Sequence, residues 1–119
     1  NEYHRRVLER IGADQAVQPE RDTGIRLAHQ LTNENLVEYL ELSSEMMLIE
    51  VHAPREMFDR TLKQLNVRAR YGCNIVAIRR RDGSLLASPM AEDVIREGDI
   101  LIIIGSNEDI SRFEKRFNE

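Results

Sequence analysis

Asn66-Val67-Arg68-Ala69-Arg70-Tyr71-Gly72-Cys73-Asn74-Ile75-Val76 is the stretch on which the reading of this 119-residue chain turns. It sits within residues 65–105, where a positively charged segment runs into an apolar one. Cys73–Arg80 reads as a strand, and the Asp82-Gly83 pair after it is a two-residue turn signal, because both residue types tolerate φ > 0. Leu85–Ser88 then returns antiparallel. Glu97-Gly98-Asp99 is a second turn, and it feeds Ile100–Ile104, an apolar run of buried-strand length. No catalytic constellation lies between these strands, which is the pattern of a small ligand-sensing domain.

Met46–His52 alternates as a strand with Met47, Ile49 and Val51 on one face, and Pro54 ends it. Thr61–Leu65 reads as a short helical turn. Ser106-Asn107-Glu108-Asp109 starts a last helix, with a serine cap and an acid three residues on. Ile110, Phe113 and Phe117 face the core there, and Lys115 and Arg116 suit the helix C-terminus. Towards the N-terminus, Tyr3–Ile11 reads as a helix that stops at Gly12, with Val7, Leu8 and Ile11 on one face. Gln15–Gln18 has the pattern of a short strand. Pro19-Glu20 opens a second helix with Ile25, Ala28 and Leu31 as its stripe. Thr32-Asn33-Glu34 is expected to start a third, burying Leu36, Val37 and Leu40. The composition changes near residue 42. Residues 43–119 are expected to form a compact α+β domain with a β-hairpin and flanking helices. Residues 1–42 hold too few strand signals for a sheet of their own.

Hydrophobic residues make up 41% of the chain and charged residues 32%, the balance of an ordinary globular protein. A net charge of −4 argues against general nucleic-acid binding, which needs a basic footprint. Cys73 is the single cysteine, so neither an internal disulfide nor a multi-cysteine metal site is available. A reducing cytosolic setting fits this usage. Ile100–Ile104 is far too short to span a bilayer, and no stretch reads as a signal peptide. A start at Asn1 is expected of a piece of a longer protein.

His4, His29 and His52 are far apart and lack metal-ligand spacing. No nucleophile has a base near it in sequence, and no glycine-rich phosphate loop is present. The cations are more informative. Arg79, Arg80 and Arg81 suit a solvated strand edge, where charge discourages pairing with other chains. Arg68 and Arg70 are expected in a loop leading into the apolar strand, where a guanidinium can fork onto a phosphate. Asn74 follows, and its amide can both donate and accept along the edge of a base. Leu62, Ile75 and Pro89 can supply apolar contact to base faces. A cation, an amide and apolar walls suit a nucleotide-like ligand.

The chain resembles a known family. Leu62-Lys63-Gln64-Leu65-Asn66-Val67-Arg68, Gly72-Cys73-Asn74-Ile75-Val76-Ala77-Ile78-Arg79, Pro89 and Ile95-Arg96-Glu97-Gly98-Asp99-Ile100-Leu101 with Gly105 are similar to the C-terminal lobe of RCK (TrkA-type) proteins, which regulate potassium conductance. Ile11-Gly12-Ala13-Asp14 and Pro19-Glu20-Arg21-Asp22-Thr23-Gly24 resemble the end of the preceding Rossmann lobe. The subgroup it most resembles is the cytosolic KtrA/KtrC-type subunits of Ktr transporters. The resemblance implies that residues 1–42 are a remnant of the Rossmann-like lobe and 43–119 the ligand-sensing and dimerisation lobe. It implies a cytoplasmic homodimer, assembling further in the full-length protein and acting at the inner face of the membrane on a potassium-transporter subunit. It implies cyclic di-AMP as a regulatory ligand at the dimer interface and no catalysis. Arg68, with Arg70 as second choice, would meet phosphate, Asn74 adenine, and Leu62, Ile75 and Pro89 the base faces. ATP or ADP would bind only in the missing part of the Rossmann lobe. Glu20 matches an acidic position that contributes to a cation site in full-length relatives. A structural dimerisation module, or the C-lobe of an antiporter or channel answering to another ligand, is the alternative.

Overall fold

A computed structural model describes residues 33–117. The helices expected at Tyr3–Ile11 and from Pro19, the strand at Gln15–Gln18, and Glu20 lie outside the described residues. Within them, five strands form one sheet in the order β1-β2-β5-β3-β4, with every neighbouring pair antiparallel. The strands are β1 (Leu36–Glu41), β2 (Met46–His52), β3 (Asn74–Arg79), β4 (Leu85–Ala87) and β5 (Ile100–Ser106). The helices are α1 (Leu62–Leu65), α2 (Val67–Tyr71) and α3 (Asn107–Phe117). This is the expected α+β class.

The apolar run at Ile100–Ile104 becomes the sheet's central strand, paired with β2 on one side and β3 on the other. Alternation along it separates two apolar layers. Leu101 and Ile103 join Met47, Ile49, Val51, Ile78 and the helix residues Leu65, Val67, Ile110 and Phe113. Ile102 joins Leu40, Leu48 and Ala77 on the opposite face. A register shift in β3 between Ile75 and Ala77 helps to set this division. Such a bulge inserts one extra residue and breaks the strict alternation. Ile75 and Ile78, three apart, therefore both pack on the helical layer, while the adjacent Val76 and Ala77 both belong to the other.

The expected turns are present. Gly83 and Gly98 carry φ of 89° and 88°, values that favour glycine. Ser84 donates through its backbone N and its Oγ to Asp82 Oδ1, at 2.9 and 2.6 Å, and its hydroxyl bond holds Asp82 below the usual carboxylate range. Thr61 caps α1 by a reciprocal pair of bonds with Gln64. Ser106 Oγ accepts from Asp109 N at 3.1 Å, the expected serine cap of α3.

Two local expectations are corrected. Where a helix was predicted to follow Thr32-Asn33-Glu34, the described residues Leu36–Glu41 form strand β1 instead. Leu36 and Leu40 are buried, but on opposite faces of the sheet. A bulge between Leu36 and Glu38 puts Leu36 opposite Val51 and Leu40 opposite Leu48. Strand-strand hydrogen bonds to β2 win over a local pattern that fits a short helix equally well. Residues 36–41 thus share a sheet with 46–52. The second correction concerns Arg68 and Arg70. They stand not in a loop but on α2, one short turn of helix that follows Asn66 in the left-handed region, φ 48°. Asparagine tolerates that conformation, so α1 can end and α2 begin at one residue.

Candidate functional site

Helix α2 is fastened at its C-terminal end. Gly72 closes it with φ 82° and donates its N–H to Arg68 O at 2.9 Å. A Cβ placed at Gly72 would lie 2.6 Å from Asp109 Oδ2, so α3 approaches here as only glycine permits. Tyr71 packs edge-on against Phe113 and Phe117, with ring centroids 5.8 and 5.7 Å away. Cys73 follows, fully buried, and a Cβ at Gly105 would sit 2.7 Å from Cys73 Cβ. Close backbone contact with β5 therefore fixes where β3 begins.

On this base Arg68 and Arg70 are both exposed, and neither forms an ion pair among the described residues. They are cations of the outer surface of a held helix. Asn74 is exposed at the first position of β3, opposite Ile104, while Ile75 is half-buried opposite Ile103 on the helical layer. Successive strand residues point to opposite faces, so the set straddles the end of the sheet.

Leu62, Ile75 and Pro89 come from separate segments joined by backbone hydrogen bonds. Ser88 N donates to Val76 O at 3.0 Å, which sets Pro89 beside the start of β3. Leu62 N donates to Asp93 O and Lys63 N to Ala91 O, both at 3.0 Å. Leu62 and Ile75 both pack on the helical-layer core. The three apolar candidates thus share one margin of the domain. Met90, beside Pro89, is 69% exposed, and no sequence period marked it.

The arginines of the hairpin differ from the solvated edge expected of them. Arg79 Nη1 donates to Glu50 Oε1 at 2.8 Å across the sheet. Arg80 Nη1 donates to Asp99 Oδ2 at 2.6 Å and to Val94 O at 2.9 Å. Asp99 is 1% exposed and also accepts from Arg96 N at 2.7 Å. Arg80 is therefore a brace for the turn entering β5. Arg81 alone of the three is an exposed cation without an ion pair among the described residues.

Other chemistry is sparse. Among the described residues no group of three or more histidine, cysteine or acidic side chains could hold a metal ion, and no helix is long and apolar enough to cross a membrane. Burial pushes the Cys73 thiol up to about 11. At pH 8 the folded protein should therefore react with a disulfide reagent about a hundredfold more slowly than the unfolded chain, from the ionisation difference alone. Stopped-flow traces with and without denaturant test this, and equal rates would place the thiol at the surface. The same difference removes stability between pH 9 and about 11, where the unfolded thiol ionises first.

Comparison with known proteins agrees with this architecture. The TrkA-C domain family matches residues 46–118. Ktr system potassium uptake protein C of Bacillus subtilis is 52% identical over 116 residues, covering 98% of this chain and 52% of that protein. Ktr system potassium uptake protein A of the same organism is 46% identical over 114 residues, covering 96% and 51%. The chain thus spans about half the length of these relatives. Among solved structures, the RCK C domain of the potassium transport protein KtrA in complex with cyclic di-AMP superposes with a TM-score of 0.54 at 39% identity, covering 58% of this chain and 80% of that one. The RCK_C domain dimer of S. agalactiae BusR in complex with the same ligand gives 0.52 at 30%, covering 58% and 86%. With a five-stranded antiparallel sheet, helices packed on one layer and the family's match over residues 46–118, the chain belongs to the TrkA-C (RCK_C) domain family.

Proposed function

We propose that this chain is the sensing lobe of a Ktr-type potassium uptake regulator, binding cyclic di-AMP where two copies meet. The observation that carries the reading is the margin holding Leu62, Ile75 and Pro89, together with exposed Arg68 and Asn74, in a chain 39% identical to a domain captured with that ligand. A symmetric dinucleotide suits an isologous interface, where each protomer holds one half. Arg68 contacts phosphate, with Arg70 as the second cation. Asn74 reads an adenine edge. Leu62, Ile75 and Pro89 flank the bases. The lobe performs no chemistry. Ligand binding favours one arrangement of the paired lobes, and the full-length protein passes that bias to a membrane partner from the cytoplasmic side. The bias cannot exceed the difference in affinity between the two arrangements.

Sedimentation and calorimetry test this together. The expected result is a dimer at concentrations of about tens of micromolar, the range of weak specific association, taking up one cyclic di-AMP per pair. A monomer throughout that range, or a dimer without heat of binding, would remove the reading. The second outcome would leave a structural dimerisation module.

A further inference from the structure

Pro89 stands on a segment without regular secondary structure. Ser88 enters it with φ 51°, a left-handed conformation in which a serine is strained. Beyond Pro89 the chain closes a turn. Asp93 N donates to Met90 O at 3.0 Å, and Asp93 Oδ2 accepts from Met90 N at 2.6 Å. The far limb of this turn runs antiparallel to the start of α1. Lys63 N donates to Ala91 O, Leu62 N to Asp93 O and Ile95 N to Arg60 O, each at 3.0 Å, and Thr61 bridges Val94. Asp93 stands at the junction. Its carboxylate holds the residue after Pro89, and its carbonyl holds the amide of Leu62.

We infer that Asp93 is a positioning residue that sets the gap between the Leu62 and Pro89 walls of the cyclic di-AMP site, an inference that rests on the ligand reading above. An apolar wall on an irregular segment must be ordered when a base arrives, and that ordering subtracts from affinity. The bond from Met90 N orders it beforehand. What this role needs is an acceptor oxygen at the right distance, not a charge. An asparagine amide oxygen can supply the acceptor, whereas alanine cannot. Nothing in the role requires Asp93 to touch the ligand.

The test compares D93A and D93N with the unmodified protein. Cyclic di-AMP is titrated by calorimetry, and amide hydrogen exchange is followed without ligand. D93A is expected to weaken binding about tenfold, the scale of one lost hydrogen bond in an ordered site. It should also speed exchange at Met90 and Leu62 while the amides of β5 stay protected. D93N should bind within about threefold of the unmodified protein. Undiminished binding by D93A would overturn the role. So would a loss in D93N equal to that in D93A, which would point to charge. Faster exchange throughout β5 in D93A would instead mark a general brace of the fold. No binding by the unmodified protein would remove the ligand reading and this role with it, whereas equal binding by the unmodified protein and D93A would remove this role alone.

Discussion

Arg68→Ala is expected to cost the dimer about tenfold to a hundredfold in affinity for cyclic di-AMP, or about 1.5–3 kcal/mol, the scale of one hydrogen bond to a charged group. Helix α2 is closed by Gly72 and packed on α3 through Tyr71, so the guanidinium rises from a fixed base. It is exposed and forms no ion pair among the described residues, so a phosphate need not displace a resident carboxylate. Asn74→Ala should also weaken binding, because an adenine edge would lose its partner on desolvation. The control must be chosen with care. Arg80 is spoiled for that purpose by its bond to Asp99, whereas Arg81 is an exposed hairpin cation. The three variants Arg68→Ala, Asn74→Ala and Arg81→Ala are to be titrated at one salt concentration. A loss in Arg81→Ala equal to that in Arg68→Ala, with none in Asn74→Ala, would mean diffuse charge attraction and no defined pocket.

The second large effect falls on stability. Asp99→Ala should lower the unfolding free energy by about 3 kcal/mol, the low end for breaking a buried charge pair. Asp99 is 1% exposed, and one oxygen, Oδ2, accepts from both Arg80 Nη1 and Arg96 N. Removing it strands a guanidinium that is only partly in water and an amide at the turn that starts β5. Asp99→Asn keeps an acceptor and should lose less. Urea titrations of the two variants read this out through the midpoint at constant slope. A loss below about 1 kcal/mol for Asp99→Ala, the range of an exposed pair, would show that Arg80 reaches water freely.

Residues that organise their own neighbourhood were legible in the sequence. Asp82-Gly83 and Glu97-Gly98-Asp99 demand turns wherever they stand, because their glycines take positive φ. The alternation of Met47, Ile49 and Val51, the apolar run Ile100–Ile104 and the capped stripe Ile110-Phe113-Phe117 each declare an element within one stretch of chain. The family resemblance shares the Glu97-Gly98-Asp99 turn and the start of the apolar run with them, and otherwise rests on Leu62–Arg68, Gly72–Arg79 and Pro89. Of the candidate site, the residue types were legible, since a guanidinium, an amide and apolar walls announce their chemistry without coordinates.

The tertiary structure alone decided three things. Leu36, Val37 and Leu40 fit a helix as well as a strand, and hydrogen bonding to β2 chose between them, with a bulge sending Leu36 and Leu40 to opposite faces. Arg80 looked like its neighbour Arg81 until the fold brought Asp99, nineteen positions away, to its guanidinium. Asp93 had no periodicity to mark it, because its part in joining Leu62 to Pro89 exists only once residues 59–63 and 91–95 lie side by side. The physical reason is common to all three. Turns and stripes depend on interactions between residues a few positions apart, whereas register, buried ion pairs and the spacing of a site's walls depend on partners that the chain brings together only by folding.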